Sequence, residues 1–521
     1  MLLTAQLLLD YQRCHRRAFL DVYGDDRQRD PPSDYLLKLR QDSSAYQKTI
    51  LAHHSYHKPE YAHGNWQEGT LATVALMQEG VDTIYHGVLW LQEADLEGLD
   101  FPPFLRQHWA NFSYLSRPSL WVKTPGESKF GPWKYTPVEI KWGKRPKREY
   151  QMVSVFHGWI LSQIQGEWPN TVDLILRDRS PYTVDLVRLW PDFQRLLSQL
   201  LTMLLEESEE PEVFISRQKC SLCQWLTTCH QVAQHQNHLS LIPGITPKRY
   251  ERLQELGLTS LESLTMQHLP NLSQEFGHKV GRQIIRQAQS SLEQRAIPLH
   301  PWSPEDFPIT PVELYFDIET EPDLNLEYLL GVLVIDRTAQ RSRFYPFLAE
   351  SPDDQQRMWQ EFLELVNRYH PMPIFHFCEY EVKAVNTLAQ RFGTPQSELK
   401  PLIRRFVDIH ERVTRFVTLP IESYALKTIA RWMGFEWRDE SASGAQTVYW
   451  YDQWLQSGDR TFLERIICYN EDDCRATYHV KDWLVAFLQQ MPPPNQQIPL
   501  QSVHVGNFGQ MAPTVKSQLL E

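Results

Sequence analysis

The sequence lacks any apolar run long enough to span a bilayer, and its apolar start, Met1–Asp10, lacks the basic residues and small-residue cleavage site of a secretion signal. It also lacks an excess of positive charge, since 64 acidic residues outnumber 52 basic ones and give a formal charge of −12. Such a chain does not bind nucleic acid through bulk positive charge. We therefore expect a soluble cytoplasmic protein without membrane contact, in which any nucleic-acid binding uses local patches.

The chain is too long for a single hydrophobic core, because it has 521 residues. A proline-rich segment, 297–304, interrupts the helical patterns of its middle part. We expect an α/β multidomain protein with a first domain at 1–235, a helical connector at 236–310, a second large domain at 311–495 and a loosely ordered tail at 496–521.

The cysteines are few and clustered. The seven cysteines are Cys14, Cys220, Cys223, Cys229, Cys378, Cys468 and Cys474. The run from Cys220 to Cys229 has C-x2-C-x5-C spacing, which lets neighbouring sulfurs reach one ion or cluster, and Cys14 completes a set of four thiolates. In a reducing compartment this clustering favours metal ligation over disulfides. On ligand type alone, zinc and a [4Fe-4S] cluster are both possible.

An acid-x-Lys element, Glu139-Ile140-Lys141, follows Val138 in the same region. Together with Cys14 and the three later cysteines it resembles the RecB-family nucleases, whose fold is closed by an iron-sulfur cluster. The resemblance implies a restriction-endonuclease-like, PD-(D/E)XK, domain with a [4Fe-4S] cluster and a site at Glu139, Lys141 and Gln151. Ser119 stands where the family has a metal-binding Asp, so we expect this site to be degenerate.

A basic run follows the acid-x-Lys element. Its members are Lys144, Arg145, Lys147 and Arg148. With Trp142 before it, this run is able to follow a phosphate backbone, although such runs are also common in solvated loops. Both interpretations stay open on the sequence.

The connector contains the turn Pro243-Gly244-Ile245, which is followed by Lys248 and a helical pattern. This segment resembles a helix-hairpin-helix motif. Glycine at the turn lets backbone N–H groups at a helix start face a phosphate without a side chain in between. Gly244 and Lys248 are therefore candidate nucleic-acid contacts, and the alternative is a helical hairpin that only packs between domains.

The segment Val312–Thr320 predicts a strand that carries Asp317 and Glu319 on one face, because side chains alternate along a strand. Farther along, Glu381 falls in the first turn of a predicted helix, and Tyr469 and Asp473 are four residues apart on a later one. A buried pair of carboxylates indicates either a divalent cation between them or a strand that ends at solvent.

The order of these acids resembles the DEDD exonucleases of the RNase H-like superfamily in their tyrosine-bearing form. The resemblance implies that Asp317, Glu319, Glu381 and Asp473 hold two divalent ions, Mg²⁺ or Mn²⁺, and that Tyr469 orients the attacking water. The second motif of that family supplies Asp where this chain has Glu381, with Glu379 as the alternative acid.

The three regions in this order resemble a bacterial RecB-like nuclease family with a helix-hairpin-helix and a C-terminal RNase H-like domain. The resemblance implies a metal-dependent 3′–5′ exonuclease that acts on DNA, or on RNA, in repair or processing. Two alternatives are open: a nucleic-acid-binding adaptor without turnover, and a nuclease whose active centre is Glu139 and Lys141.

Overall fold

The computed structural model describes residues 1–52, 54–92, 111–177, 180–206, 209–267 and 269–490. The chain divides into two compact units, Met1–Ala233 and Gln234–Glu521. The segment predicted as a connector falls in the second unit, and the predicted tail at 496–521 lies outside the described residues. Among the helices described, none combines the length and apolar character needed to cross a membrane.

The first unit packs helices against two sheets. Its strands are β1 (Leu2–Thr4), β2 (Thr83–Tyr85), β3 (Leu89–Leu91), β4 (Ser113–Ser116), β5 (Leu120–Ser128), β6 (Gly131–Lys141), β7 (Thr171–Leu176) and β8 (Tyr182–Asp185). The helices are α1 (Ala5–Arg13), α2 (His15–Tyr23), α3 (Asp34–Leu51), α4 (Trp66–Gln78), α5 (Arg148–Gln165), α6 (Leu186–Leu205), α7 (Arg217–Cys220) and α8 (Leu226–His235). The strand orders are β1-β4-β3 and β2-β5-β6-β7-β8.

Strand β6 and helix α5 form the centre of this unit. The strand pairs antiparallel with β5 and parallel with β7. Helix α5 buries Val155, Phe156 and Trp159 in the main core, which is the favourable burial that holds the helix on the sheet. Because β6 ends at Lys141, the acid-x-Lys element lies on the last residues of a central strand.

The second unit surrounds one five-stranded sheet. Its strands are β9 (Ile297–Pro298), β10 (Val312–Glu321), β11 (Leu326–Asp336), β12 (Arg341–Leu348), β13 (Ile374–His376), β14 (Phe406–Asp408) and β15 (Val417–Thr418). The helices are α9 (Pro247–Glu255), α10 (Leu261–Thr265), α11 (Leu269–Phe276), α12 (His278–Glu293), α13 (Gln355–Arg368), α14 (Tyr380–Arg391), α15 (Gln396–Ile403), α16 (Ile409–Phe416), α17 (Leu426–Trp432), α18 (Gly444–Ser457) and α19 (Arg460–Gln489).

The sheet has the order β12-β11-β10-β13-β14, with β10 at its centre. Strands β10, β11 and β12 pair antiparallel, whereas β13 and β14 run parallel to β10. Leu314, Phe316 and Ile318 enter one core and Tyr315 enters the other, on the opposite face. The predicted strand is therefore confirmed, and Asp317 and Glu319 continue the face of Tyr315.

Helix α19 packs across β10 and β11 on that face. It approaches β11 closely at Gly331, where an added Cβ would lie 1.7 Å from the side-chain oxygen of Asn470. Gly331 is the partner of Asp317 in the strand register. The absence of a side chain at this position therefore lets the helix bring its own residues beside the acidic part of β10.

Candidate active site

Three carboxylates meet where β10 faces α19. Asp317 and Glu319 come from the strand, and Asp473 comes from the helix. Their ligand oxygens all lie within 4.8 Å of one another, and no other group of three or more His, Cys, Asp or Glu side chains in the described ranges does so. We call these three residues the acidic triad. Carboxylate oxygens are the donors that hard divalent cations prefer.

Each member of the acidic triad accepts a hydrogen bond from a neutral donor. Asn470 Nδ2 donates to Asp317 Oδ2 at 2.7 Å, and Thr447 Oγ1 donates to Glu319 Oε2 at 2.7 Å. Trp437 Nε1 donates to Asp473 Oδ1, also at 2.7 Å. These bonds fix the orientation of the three carboxylates without cancelling their negative charge.

Burial raises the pKa of all three carboxyl groups. The pKa of Asp317 lies well above its ordinary value because burial is reinforced by the charges of Asp473 and Glu319. Burial and the charge of Asp473 raise the pKa of Glu319 to about 8. Burial raises the pKa of Asp473 to about 7, against hydrogen bonds from Trp437 and Tyr469 that lower it. Three such neighbours resist full ionisation at neutral pH unless a cation compensates them, so the donor set fits hard divalent ions.

Tyr469 lies one helical turn before Asp473 on α19 and hydrogen bonds to its carboxylate. Burial raises the pKa of its hydroxyl, and the charges of Asp473 and Glu319 raise it further. The hydroxyl therefore stays protonated at neutral pH and is able to donate a hydrogen bond beside the acidic triad.

Glu381 is buried in the first turn of α14. Its charge contributes to the raised pKa of Asp317, which places it near the acidic triad, although it is not within the 4.8 Å group. Its Oε2 atom lies 3.5 Å from His376 Nδ1, and neither atom has a hydrogen-bond partner among the residues described. Burial raises the pKa of Glu381, whereas the neighbouring His376 lowers it.

Other nearby acids have structural partners. Glu379, the alternative to Glu381, is exposed and pairs with Lys383 at 2.7 Å. Asp408 caps α16 by accepting from Glu411 N and also accepts from Cys378 N. Asp472 accepts two hydrogen bonds from Arg438. The structure thus gives these three carboxylates other partners than the acidic triad.

Sequence reasoning missed the donors Asn470, Thr447 and Trp437. Only Asn470 had a local signal, because it lies between Tyr469 and Asp473 on the same helix. Thr447 and Trp437 meet their carboxylates across 128 and 36 residues of sequence, respectively. A single sequence contains no pattern that identifies such pairs.

The acid-x-Lys element of the first unit forms a different arrangement. Glu139 is buried, with Oε2 2.6 Å from Lys141 Nζ and Oε1 3.0 Å from His157 Nε2. His157 Nδ1 in turn lies 2.7 Å from Ser116 Oγ. Both carboxylate oxygens of Glu139 are therefore already in contact with basic side chains.

The other residues predicted for this site bind the backbone instead. Ser119 Oγ accepts from Ile140 N at 3.0 Å, and Gln151 Nε2 donates to Pro146 O at 2.8 Å. The side-chain amide of Gln151 thus contacts the segment just before α5. Among the described residues, this region has no group of three metal ligands within 4.8 Å.

The four cysteines of the first unit lie around one recess. This recess is lined by Cys14, Cys220, Cys223 and Cys229, together with Arg13, Arg16, Arg17 and Lys219. Burial raises the pKa of the Cys223 thiol to about 11. No three of the four sulfurs lie within 4.8 Å of one another, as judged from the described part of the chain.

The predicted nucleic-acid contacts lie at the surface. Lys144, Arg145, Lys147, Arg148, Gly244 and Lys248 are all exposed. Arg148 pairs with Asp192, and Lys147 lies over the ring of Tyr150. The aromatic residue before this run, Trp142, is covered by Arg177 at 4.0 Å.

A family model of the RNase H superfamily matches residues 314–485. The match begins within β10 and ends within α19, so it spans all the members of the acidic triad. No curated protein matches the sequence significantly. The C-terminal region is thus an RNase H-like domain, a fold whose nucleases act on nucleic acid and use divalent metals.

Proposed function

We propose that this chain, with its RNase H-like C-terminal region, is a metal-dependent 3′–5′ exonuclease of the DEDD type that acts on DNA, or on RNA, in repair or processing. The acidic triad is the observation that carries the proposal. Ligand oxygens of three carboxylates, from a strand and a helix, lie within 4.8 Å of one another. This proximity suits divalent cations, and without cations the burial of three like charges costs free energy. The 3′–5′ direction rests on the resemblance to the DEDD exonucleases alone.

The residues present suit two divalent ions. Asp317, Glu319 and Asp473 would hold them, and Glu381 would supply a fourth carboxylate, since its buried Oε2 has no hydrogen-bond partner in the described residues. Bound divalent ions neutralise the developing charge on the phosphate and lower the pKa of an attacking water. Tyr469, held by its hydrogen bond to Asp473, would orient that water. Asn470, Thr447 and Trp437 keep the carboxylates in place.

A nuclease panel tests this proposal. Full-length protein is incubated with end-labelled single-stranded, double-stranded, flapped and RNA substrates in magnesium and in manganese, with a chelator as the control. We expect shortening from the 3′ end in at least one metal and none with the chelator. Degradation that persists in the chelator would overturn a metal-dependent reaction.

A non-catalytic adaptor is the second candidate, and Glu381 is the observation that favours it. Where the DEDD pattern has Asp, this chain places Glu381 beside His376 and outside the 4.8 Å group. An adaptor would bind nucleic acid in a salt-sensitive manner and leave every substrate of the panel intact in both metals.

Trp437→Phe is predicted to lower activity by about tenfold, because the hydrogen bond that holds Asp473 is lost and its carboxylate is free to rotate. Trp454→Phe is a matched control, since it loses a 2.7 Å indole hydrogen bond to Glu350 O. Activity is measured across a manganese titration. We expect the half-activating manganese concentration to rise in Trp437→Phe only, and equal shifts in both variants would contradict the positioning role.

For the cysteines we propose a [4Fe-4S] cluster, with zinc as the alternative. Four thiolates at 2.3 Å from one zinc ion would lie about 3.8 Å apart. No three sulfurs of this set meet even a 4.8 Å limit in the described ranges, which favours the larger cluster. The surrounding arginines and Lys219 suit the negative charge of a thiolate-bound group.

Anaerobic purification followed by iron, sulfide and zinc analysis tests the cluster. We expect about four iron atoms per chain, as a [4Fe-4S] cluster requires. Cys229→Ser should lower the iron content sharply, whereas Cys468→Ser, a free cysteine of the second unit, should not. A protein that contains zinc and no iron would refute the cluster.

A further inference from the structure

Lys427 is a half-buried lysine on α17 that binds a single stretch of backbone. Its Nζ atom donates to Glu440 O at 2.9 Å and also to Ala442 O. The same atom lies over the ring of Trp437, 5.5 Å from the ring centroid. These three partners belong to residues 437–443, which we call the bridging segment because it leads into α18.

The bridging segment carries one hydrogen-bond donor to the acidic triad and leads directly to another. Trp437, at its start, donates its indole N–H to Asp473 at 2.7 Å. Helix α18 begins directly after the segment, and Thr447, near the start of that helix, donates to Glu319 at 2.7 Å. The position of this short stretch therefore affects two of the three carboxylates.

Helix α17 is a fixed support for the lysine. It buries Ile429 in a core that also contains residues of α19. Just after α17, Met433 O lies 3.0 Å from Nε2 of His479, a residue of α19. Since α19 also carries Asp473, the lysine and this carboxylate are on helices that are packed against each other.

The acceptors of Lys427 are backbone carbonyls rather than carboxylates. The bridging segment contains no helix or strand, so its carbonyl groups need partners from outside regular structure. Hydrogen bonds from a charged donor are stronger than those between neutral groups, and an ammonium is therefore well suited to hold such a segment. The charge of Lys427 also lowers the pKa of Asp473, which indicates that the ammonium lies near the acidic triad.

Two arginines contact the same region. Arg438, within the bridging segment, binds Asp472 of α19 through its backbone N–H and its side chain. Arg431, one turn after Lys427 on α17, donates to Glu440 O at 3.3 Å. Arg438 thus fixes the start of the segment, and Arg431 shares one of the two carbonyl acceptors of the lysine.

We propose that Lys427 is a positioning residue of the acidic triad. By binding the bridging segment, it keeps Trp437 on Asp473 and Thr447 on Glu319 in the orientation that binds divalent ions. Groups that orient metal-binding side chains in this way typically contribute about 10- to 100-fold to metal affinity. The inference rests on the proposed function only in that the acidic triad binds divalent ions, and it does not require nuclease activity.

The test is a double-mutant cycle on manganese binding, measured without nucleic acid. Free manganese is followed by electron paramagnetic resonance, and the binding that remains in Asp317→Asn is subtracted so that only the acidic triad is counted. Lys427→Met removes the ammonium and keeps a long, unbranched side chain. It is combined with Trp437→Phe, with Thr447→Val and, as the control pair, with Trp454→Phe, which loses an indole hydrogen bond to a backbone carbonyl.

Arg431→Gln is the matched single-site control. Arg431 is exposed, lies on the same helix and donates to the same carbonyl of Glu440. Circular dichroism and the melting temperature establish which variants are folded. Lys427→Gln, which keeps an N–H donor, takes the place of Lys427→Met if the methionine variant does not fold.

We expect Lys427→Met to raise the manganese dissociation constant about tenfold, and Arg431→Gln to change it by less than about twofold. Added to Trp437→Phe or to Thr447→Val, Lys427→Met should cost less than about threefold further in at least one cycle, because residues that act through one another are not additive. With Trp454→Phe, the full tenfold loss should remain.

Non-additive losses identify the donor through which the lysine acts. Full tenfold losses in both cycles would overturn the positioning role. A change in Lys427→Met no larger than that in Arg431→Gln would overturn it as well.

These outcomes are separate from nuclease activity. If the cycles are non-additive as expected and the parent protein degrades none of the panel substrates, the exonuclease proposal fails and the role of Lys427 stands. If the parent protein degrades substrates and the cycles are additive, the role of Lys427 fails alone. A parent protein without Asp317-dependent manganese binding would also overturn this role, and the nuclease panel then decides the exonuclease proposal separately.

Discussion

Asp317→Asn is expected to abolish divalent-dependent degradation of end-labelled DNA or RNA, with a loss of at least about a thousandfold. Asp317 lies on the central strand and is in reach of both Glu319 and Asp473. Replacing its carboxylate by an amide of the same shape removes one negative charge from the acidic triad and one oxygen ligand. A hard divalent ion held by the remaining carboxylates would bind more weakly and less rigidly.

The fold should tolerate this change, because asparagine retains the oxygen that accepts the 2.7 Å hydrogen bond from Asn470. Removal of one of several close carboxylates also relieves mutual repulsion, so we expect the melting temperature to stay the same or rise. The matched control is Glu379→Gln, which neutralises an exposed acid close to Glu381 in the sequence and should retain activity. Activity in Asp317→Asn within tenfold of the parent protein would sink the assignment.

The sequence predicted the part of this site that is local. The period of a strand places Asp317 and Glu319 on one face, and a spacing of four places Tyr469 beside Asp473 on a helix. These relations depend only on backbone geometry within one element. That the strand face and the helix meet depends on packing at Gly331, which no local rule contains.

In the second motif, the family pattern predicts the position of the acid but not all of its contacts. The pattern identifies Glu381 as an acid at a helix start, and the structure indeed buries it near Asp317. However, the longer side chain of Glu381 also reaches His376, and the family pattern does not predict that contact. Whether the Glu381 carboxylate contacts a metal ion or His376 depends on the bound ions. The role of Glu381 as a metal ligand therefore stays a prediction.

The packing of the helical connector could not be predicted from its sequence. Prolines after α12 and a helical hairpin predict a connector between two large domains, because prolines end helices. In the structure, Gln287 binds Leu419 O and Tyr424, which lie more than 130 residues away in sequence. Composition and periodicity find a boundary in the chain, but they do not show which surface a helix packs against.

In the first unit, the acid-x-Lys element has a contact that the sequence did not predict. The sequence suggests Glu139 and Lys141 as parts of a degenerate nuclease site. In the structure His157, on the next helix, binds the other oxygen of Glu139 and is itself bound by Ser116. The buried carboxylate of Glu139 thereby has two basic neighbours, Lys141 and His157.

Glu139→Gln is therefore predicted to destabilise the first unit by about 3 kcal/mol, because it removes the buried charge that contacts Lys141 and His157. Burial alone would raise the pKa of Glu139, but the charge of Lys141 and the hydrogen bond and charge of His157 outweigh it and set the pKa at about 2. Relative to the ordinary value of 4.5, this difference corresponds to about 3 kcal/mol at about 1.4 kcal/mol per pH unit. Since the folded pKa is depressed, the stabilisation is present above pH 4.5 and is lost as the pH falls towards 2.

Amide hydrogen exchange of peptides from β6 and α5 measures this effect locally. A local measurement is needed because a chain of two units does not have one well-defined free energy of unfolding. At neutral pH we expect exchange about a hundredfold faster in Glu139→Gln, the rate change that corresponds to about 3 kcal/mol. Glu149→Gln is the matched control, since it breaks a half-exposed pair with Arg13 and should cost no more than about 1 kcal/mol.

Added manganese then separates the two candidate centres in the same experiment. Because both oxygens of Glu139 contact Lys141 or His157, manganese should leave exchange in β6 unchanged. It should slow exchange in β10 and α19, which carry the three carboxylates of the acidic triad within 4.8 Å of one another. Slower exchange in β6, lost in Glu139→Gln, would instead identify the first unit as the metal site and make it the stronger candidate for catalysis.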